Sequence, residues 1–324
     1  MKITVLGEGS WGTAISTVLA ANGHDVNLWC HDIALVDEIN TKHTNTRYMP
    51  DITLSAKIKA SNDLESVLKN ANWLFEAIPV VYLRSVLVQV KPYYVGTQNW
   101  VVLSKGIEND TLLYPSQMLQ DVFGDVVNYG VLGGPSLARE LIDKKITGVV
   151  VASENESLSK QLQQLMKNDY CLPYLSKDPL GVQIGGALKN VVTLGVGMLR
   201  STSCCGNTQA WFLTRGFAEI VSIAEHFGAQ ASTLYGLSGL GDLILCVTGT
   251  GSRNFEVGAA LGKGESLDSI LERTGYTPEG INTLKSLYTI IQDNNLNAPI
   301  CAGLYKVVFE GMSFEALLKE LIVV

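Results

Sequence analysis

Along the first half of the chain, short runs of uninterrupted apolar residues alternate with stretches whose apolar positions recur at helical spacing. Residues 3–6 (ITVL), 26–30 (VNLWC), 72–78 (NWLFEAI), 100–103 (WVVL), 126–132 (VVNYGVL) and 147–152 (TGVVVA) read as strands. Residues 10–21, closed by the Asn22-Gly23 pair, and stretches at 85–90 and 159–167 read as helices. A strand without a polar face needs cover on both sides, and intervening helices supply it. The pattern therefore predicts a doubly wound α/β sheet that is mainly parallel and covered by helices on both faces. Beyond Tyr174 the period changes. Residues 181–200, 210–227, 267–273, 280–293 and 301–321 keep helical spacing, and no run there reads as a strand. The expectation is an α/β domain over 1–180 and an all-helical domain over 181–324, joined without a flexible linker.

Composition narrows the class. A chain of 324 residues that is 47% hydrophobic and only 17% charged can fill two cores and is not disordered. The net charge of −7 gives no basic footprint for displacing counterions, so a nucleic-acid partner is not expected. A membrane span needs ~18–20 apolar residues. The most apolar stretch, 185–199, is interrupted by Lys189 and Asn190, so no span is expected. The start, MKITVLGEGSWG, lacks the long apolar core of a secretion signal, which points to a cytoplasmic protein. Six scattered cysteines without C-x-x-C spacing and four distant histidines predict neither a disulfide framework nor a metal site.

Candidate chemistry gathers at strand ends and in one helix. Gly7-Glu8-Gly9-Ser10-Trp11-Gly12 is a G-x-G-x-x-G between a strand and a helix. Gly7 permits the tight turn, Gly9 lets a pyrophosphate approach the backbone, and Gly12 lets helix and strand pack closely. The helix start then offers free N–H groups and partial positive charge. The second strand ends at Cys30-His31-Asp32, where a dinucleotide site often carries an acid for the ribose 2′-hydroxyl. His31 can face a 2′-phosphate, Asp32 keeps NAD open, and both also fit a solvated loop. Lys105 follows the strand 100–103 and is either an anion or carbonyl ligand or a surface lysine. Gly134-Pro135-Ser136 repeats the strand, turn and helix geometry, with Ser136 alternatively an N-cap. Lys189 is the one charge between Gly181 and Leu199, so it either snorkels to water or stands at a ligand site. Burial near other cations would lower its pKa and make it a proton donor. Asp242, after Gly239-Leu240-Gly241, is a site acid or an N-cap. Ser252-Arg253-Asn254 is a compact donor group suited to phosphate, or a polar loop. Pro278-Glu279-Gly280 opens a helical run.

The segments GEGSWGTA, LWCHD, SKGIE, GGPSLARE, GGALKNV, LTRGFAE, GLSGLGDL, SRN and EG, in this order over nearly the whole chain, resemble the bacterial NAD(P)-dependent sn-glycerol-3-phosphate dehydrogenase family. GGALKNV, GLGDL and SRN are far more specific than the glycine fingerprint. The resemblance implies a homodimer with a Rossmann domain and a helical domain like the C-terminal domain of 6-phosphogluconate dehydrogenase. It implies an exchange of dihydroxyacetone phosphate with sn-glycerol 3-phosphate, NAD or NADP as cofactor, and a supply of glycerol phosphate for phospholipid synthesis.

By the same resemblance, Lys189 is the proton-transferring group, with Lys105 and Asp242 beside it. Gly134, Ser136, Ser252, Arg253 and Asn254 match substrate contacts. Ser10, Trp11, His31, Tyr48, Lys105, Ala138, Arg253 and Glu279 match cofactor contacts, beside Gly7, Gly9 and Gly12. The chain departs from the family pattern at Glu76, Val80-Val81, Cys246, the loop 201–207 and Trp211-Phe212. Two other readings stay open. One is a related two-domain dehydrogenase for a 3-hydroxy acid or ketopantoate. The other is a non-catalytic dinucleotide sensor.

Overall fold

A computed structural model describes every residue except Val126, Ser203, Thr250 and Val324, and for Val323 the backbone only. Val126 of the expected strand 126–132 and Ser203 of the loop 201–207 thus lie outside the described residues.

The chain divides into two compact units. The first comprises Met1–Ser104 and Pro115–Pro179, and the second Lys105–Tyr114 and Leu180–Val324. The first unit holds one eight-stranded sheet. Its strands are β1 (Lys2–Leu6), β2 (Asp25–Trp29), β3 (Ile58–Ser61), β4 (Trp73–Glu76), β5 (Asn99–Val102), β6 (Tyr129–Gly133), β7 (Thr147–Ala152) and β8 (Cys171–Ser176). Their order is β3-β2-β1-β4-β5-β6-β7-β8, and every pairing is parallel except β6 with β7. Because β1 is followed by β2 on one side and pairs with β4 on the other, the order reverses beside β1. Crevices at such a reversal, beyond the strand ends, are where open α/β sheets bind ligands. The core of this unit is built on Ile3, Val5, Ile15, Leu28, Trp73, Phe75 and Val101, all at most 2% exposed.

The helix Ser10–Ala21 follows β1 with Gly9 as its N-cap and ends at Asn22, after which Gly23 takes φ +92°. That is the closure expected of Asn22-Gly23. Strands β3 and β8 are additions to the sequence-based reading.

The second unit is helical. Its centre is the helix Pro179–Arg200, around which Phe212, Phe217, Ile220, Leu243, Leu284 and Leu304 pack. By length and apolarity this helix matches a membrane span, as does the stretch Ala231–Thr248, contrary to the expectation that no segment reaches that size. The most apolar window of Pro179–Arg200 is wholly buried in the protein, so it serves as a core helix.

Residues Lys105–Tyr114, which follow β5 in sequence, pack with this helical unit rather than with the sheet. Ile107 and Tyr114 enter its core. Ser286 lies within hydrogen-bond distance of the carbonyl oxygens of Ile107 and Glu108, at 3.3 Å each, and of Asn109 Oδ1, at 2.8 Å.

Candidate active site

In the first unit the glycine turn fits a dinucleotide by shape. Gly7 has φ +111°, and a Cβ there would stand 2.7 Å from Ala77 O. A Cβ at Gly12 would collide with Gly7 O at 1.9 Å, so helix and strand touch through these two glycines. Gly9 differs, for a Cβ there would meet nothing within 4 Å. That open space lies at the N-cap of Ser10–Ala21, where free N–H groups suit a pyrophosphate. The turn is held from behind. Thr13 Oγ1 and Asn45 Nδ2 donate to Glu8 O at 3.1 and 2.8 Å, and Ser10 Oγ donates to Tyr48 O at 3.1 Å. Trp11 and Tyr48 are half-buried against the core of this unit.

At the end of β2, the backbone N–H groups of His31 and Asp32 both donate to the Glu8 carboxylate, at 3.2 and 3.3 Å. The His31 side chain is exposed. Asp32 caps the next helix, accepting from Ala34 N at 2.9 Å, and pairs with Arg47 at 2.9 Å.

Gly134 ends its strand region at φ +114°, and Ser136 Oγ donates to Gly134 O at 3.0 Å. Ser136 is not an N-cap, because the cap position of the helix Ala138–Ile142 is the next residue, Leu137, and no side chain caps it. Ala138 is that helix's first residue.

In the second unit three side chains converge. Asp242, 2% exposed, accepts from Lys105 Nζ at 2.5 Å through Oδ2 and from Lys189 Nζ at 3.0 Å through Oδ1. Lys189 Nζ is also 2.8 Å from Cys246 Sγ. Gly185 and Gly186 lie four and three residues before Lys189, so both neighbour it on one side of the helix. On that face a Cβ at Gly186 would press on the Lys105 stem at 3.3 Å, and one at Gly185 would stand 2.8 Å from Ser238 O. The small residues are what let Lys105 and the loop before Asp242 come so close.

Asp242 starts the helix Asp242–Thr248 and is not its cap, which is Gly241. Burial opposes the charge on Asp242, but the ammonium groups of Lys105 and Lys189 outweigh it and hold the carboxyl below its usual range. For Lys189, burial favours the neutral amine, yet Asp242 and the Cys246 sulfur reverse that, and its pKa is raised. The expected lowering is therefore overturned. Its neighbour at contact distance on the acid side is a carboxylate, and the second cation reaches it only through that carboxylate.

A second group lies nearby in the fold of this unit. Ser252 caps the helix Arg253–Gly262, accepting from Phe255 N at 3.4 Å. Asn254 donates to Asn190 Oδ1 at 3.0 Å and accepts from Gly280 N at 2.9 Å, so its amide ties the residue after Lys189 to the helix Glu279–Asp293. Gly280 has no room for a Cβ, which would stand 2.6 Å from Asn254 Oδ1. Arg253 is exposed, its guanidinium 5.3 Å from the Tyr276 ring centroid. Glu279 opens the helix that Asn254 anchors. Sequence reasoning missed Asn190 and Gly280 as partners of Asn254, and saw Cys246 only as a departure. Their adjacency in sequence to Lys189 and Glu279, and the helical spacing from Asp242 to Cys246, were the available signals.

Comparison with known proteins gives the lineage. The family model for the NAD-dependent glycerol-3-phosphate dehydrogenase N-terminus matches residues 2–159, and that for the C-terminus matches 178–319. Glycerol-3-phosphate dehydrogenase [NAD(P)+] of Staphylococcus aureus is 40% identical over 322 residues, spanning 99% of this chain and 97% of that protein. The crystal structure of glycerol-3-phosphate dehydrogenase from Coxiella burnetii superposes with a TM-score of 0.94 at 30% identity, covering 99% and 98% of the two chains. A ketopantoate reductase of Ralstonia eutropha shares the fold alone, with a TM-score of 0.65 at 15% identity over 95% and 97% of the chains. The chain is an NAD(P)-dependent oxidoreductase and belongs to the NAD-dependent glycerol-3-phosphate dehydrogenase family.

Proposed function

We propose that this enzyme reduces dihydroxyacetone phosphate to sn-glycerol 3-phosphate and runs the reverse oxidation. The observation that carries the reading is Asp242 bridging Lys105 and Lys189 in a buried position. A carboxylate so placed fixes two ammonium groups whose remaining N–H bonds can be aimed at one oxygen. When bound, the nicotinamide supplies or takes the hydride at the central carbon of the substrate. Gly7, Gly9 and Gly12 would form the turn that holds the pyrophosphate, and Ser10, Trp11, His31, Tyr48, Ala138 and Glu279 would line the rest of the dinucleotide.

The Lys189 ammonium donates its proton to the carbonyl oxygen as negative charge develops there. Asp242 orients Lys189, and Lys105 supplies a second cation to the same carboxylate and to the substrate oxygen. Ser252, Arg253 and Asn254 take the phosphate, with the guanidinium fork giving paired contacts and Gly134 and Ser136 adding polar groups. With its pKa raised, Lys189 keeps its proton through the neutral range, which suits reduction. Oxidation requires the same amine to accept a proton and is favoured at alkaline pH. All six cysteines are free thiols, in keeping with a reducing compartment such as the cytoplasm. The product is a building block for phospholipid synthesis, and a homodimer is the expected assembly.

The test is loss of NADH or NADPH absorbance with dihydroxyacetone phosphate, with ketopantoate, and with neither. Turnover with the first alone is expected. Turnover with ketopantoate alone would overturn the substrate, and none with either would favour a non-catalytic binder.

A further inference from the structure

The glycine turn carries a carboxylate in an uncommon service. Glu8 is the residue between Gly7 and Gly9, and it is 8% exposed. Its backbone carbonyl is pinned by Thr13 and Asn45. Its two carboxylate oxygens accept separately from His31 N and Asp32 N, the two amides that leave the end of β2. In sheets of this kind, the end of that strand is where the ribose of the adenosine half is read. Enzymes that take NAD place an acid there, and those that take NADP leave room and positive charge for a phosphate. Here the strand end itself is Cys30, buried and without charge of its own, so the strand offers no acid at that place.

Building on the reading that this turn holds a dinucleotide, we propose that Glu8 is the specificity-determining residue for the cofactor and makes the enzyme prefer NADH over NADPH. It acts in two ways. It occupies both strand-end N–H donors, which a 2′-phosphate would otherwise claim. It also sets a carboxylate where that phosphate would bring up to two further negative charges. Asp32 adds a second carboxylate on the same side. Burial pushes the Cys30 thiol up to about 12, and the Glu8 and Asp32 carboxylates add to the rise. The nearby cation, Arg47, is already paired with Asp32 at 2.9 Å and lies 5.5 Å from the Tyr48 ring centroid. His31 extends outward beside Trp29, with ring centroids 6.3 Å apart.

The measurement is the dissociation constant of NADH and of NADPH for the free protein, read by nicotinamide fluorescence without substrate. ADP-ribose and its 2′-phosphate serve as competitors. The parent protein should bind NADH at least about tenfold more tightly than NADPH. Glu8→Ala, which frees both amides and removes the charge, should cut that ratio about tenfold by tightening NADPH, and Glu8→Gln should cut it less. Glu8→Asp keeps the charge and should keep the sign of the preference. Equal or tighter binding of NADPH by the parent protein would overturn the proposal. So would a Glu8→Ala protein, folded by its thermal transition, that weakens both dinucleotides by one factor, since that is the mark of a merely structural residue. Because no substrate is present, a protein that fails to reduce dihydroxyacetone phosphate still answers this question. Failure to bind either dinucleotide would overturn the cofactor reading and this inference together.

Discussion

At the scale of single residues, Lys189 is a cation inside the most deeply buried helix of its unit, and such a charge is tolerated only with a partner. Asp242 is that partner, and it serves Lys105 as well. Removing Lys189 leaves Asp242 paired through Lys105, so Lys189→Ala should fold. A general acid typically contributes ~10²–10⁴-fold, and Lys189→Ala should lower kcat by about that factor. The NADH dissociation constant should stay within about threefold, because the glycine turn belongs to the other unit. Lys189→Arg should not recover the rate, since a guanidinium does not release its proton. Steady-state kinetics and NADH titration on protein with a normal thermal transition decide it, and near-parent turnover in Lys189→Ala would remove the lysine from the chemistry. Arg253 makes a separate case. A point-charge ammonium does not reproduce a guanidinium fork on phosphate, so Arg253→Lys should raise KM for dihydroxyacetone phosphate more than it lowers kcat. An unchanged KM would take Arg253 out of the phosphate site.

At the scale of elements, the end of β4 holds a second buried acid, Glu76. Oε1 accepts from Leu103 N at 3.0 Å and Ser104 N at 3.1 Å, while Oε2 lies 2.6 Å from Ser104 Oγ. Ser104 Oγ also makes a hydrogen bond to Ile78 O. A hydroxyl has one hydrogen, so both contacts are satisfied when Glu76 itself carries the proton and donates to Ser104. Burial agrees, pushing Glu76 up to about 7 against the opposing hydrogen bonds from Ser104, Leu103 and Ile78. The native state then holds a proton that the unfolded chain loses near the ordinary glutamate range. Stability falls as pH rises from that range to about 7, by an amount on the order of 3 kcal/mol. Glu76→Gln mimics the protonated acid, so its Tm should change less between pH 5 and 8 and exceed the parent's at pH 8. Parallel Tm curves would refute it.

The same scale explains what the sequence made legible. The interior strands announced themselves as apolar runs because both faces are covered. The two strands that escaped, β3 (IKAS) and β8 (CLPYLS), are the two edges of the sheet. An edge is half-solvated, so Lys59 is exposed in one, and Tyr174 and Leu175 are exposed beside Pro173 in the other. The fingerprint glycines, Lys105, Lys189 and Asp242 were found by motif. What motif could not supply was direction: that Asn254 turns inward to Asn190 and Gly280, and that Glu8 reaches the end of β2. These depend on pairings distant in sequence.

At the scale of the whole molecule, each unit has a core of its own, and the chain passes from one to the other three times, after Ser104, Tyr114 and Pro179. Separate cores imply that packing damage in one unit can leave binding in the other. Phe212 is a place to test this. Phe212 stands where the chain departs from the family pattern, it is fully buried, and a Cβ on Gly195 would stand 2.6 Å from its ring. The large ring thus fits because the facing helix position is a glycine, with Phe314 at 6.0 Å between ring centroids. Phe212→Ala should cost about 3–5 kcal/mol through lost burial and the cavity left behind. Adding Gly195→Ala to Phe212→Ala should recover part of that loss, whereas Gly195→Ala in the parent should destabilise by overpacking against the ring. Denaturant unfolding of the four proteins measures the coupling, and NADH titration of each at 25 °C measures the reach of the damage. A favourable coupling between the two sites with NADH affinity held within about threefold is the expected outcome. Strictly additive effects would mean that the ring and the glycine do not depend on each other, and a parallel loss of NADH affinity would mean that the two cores do not act separately.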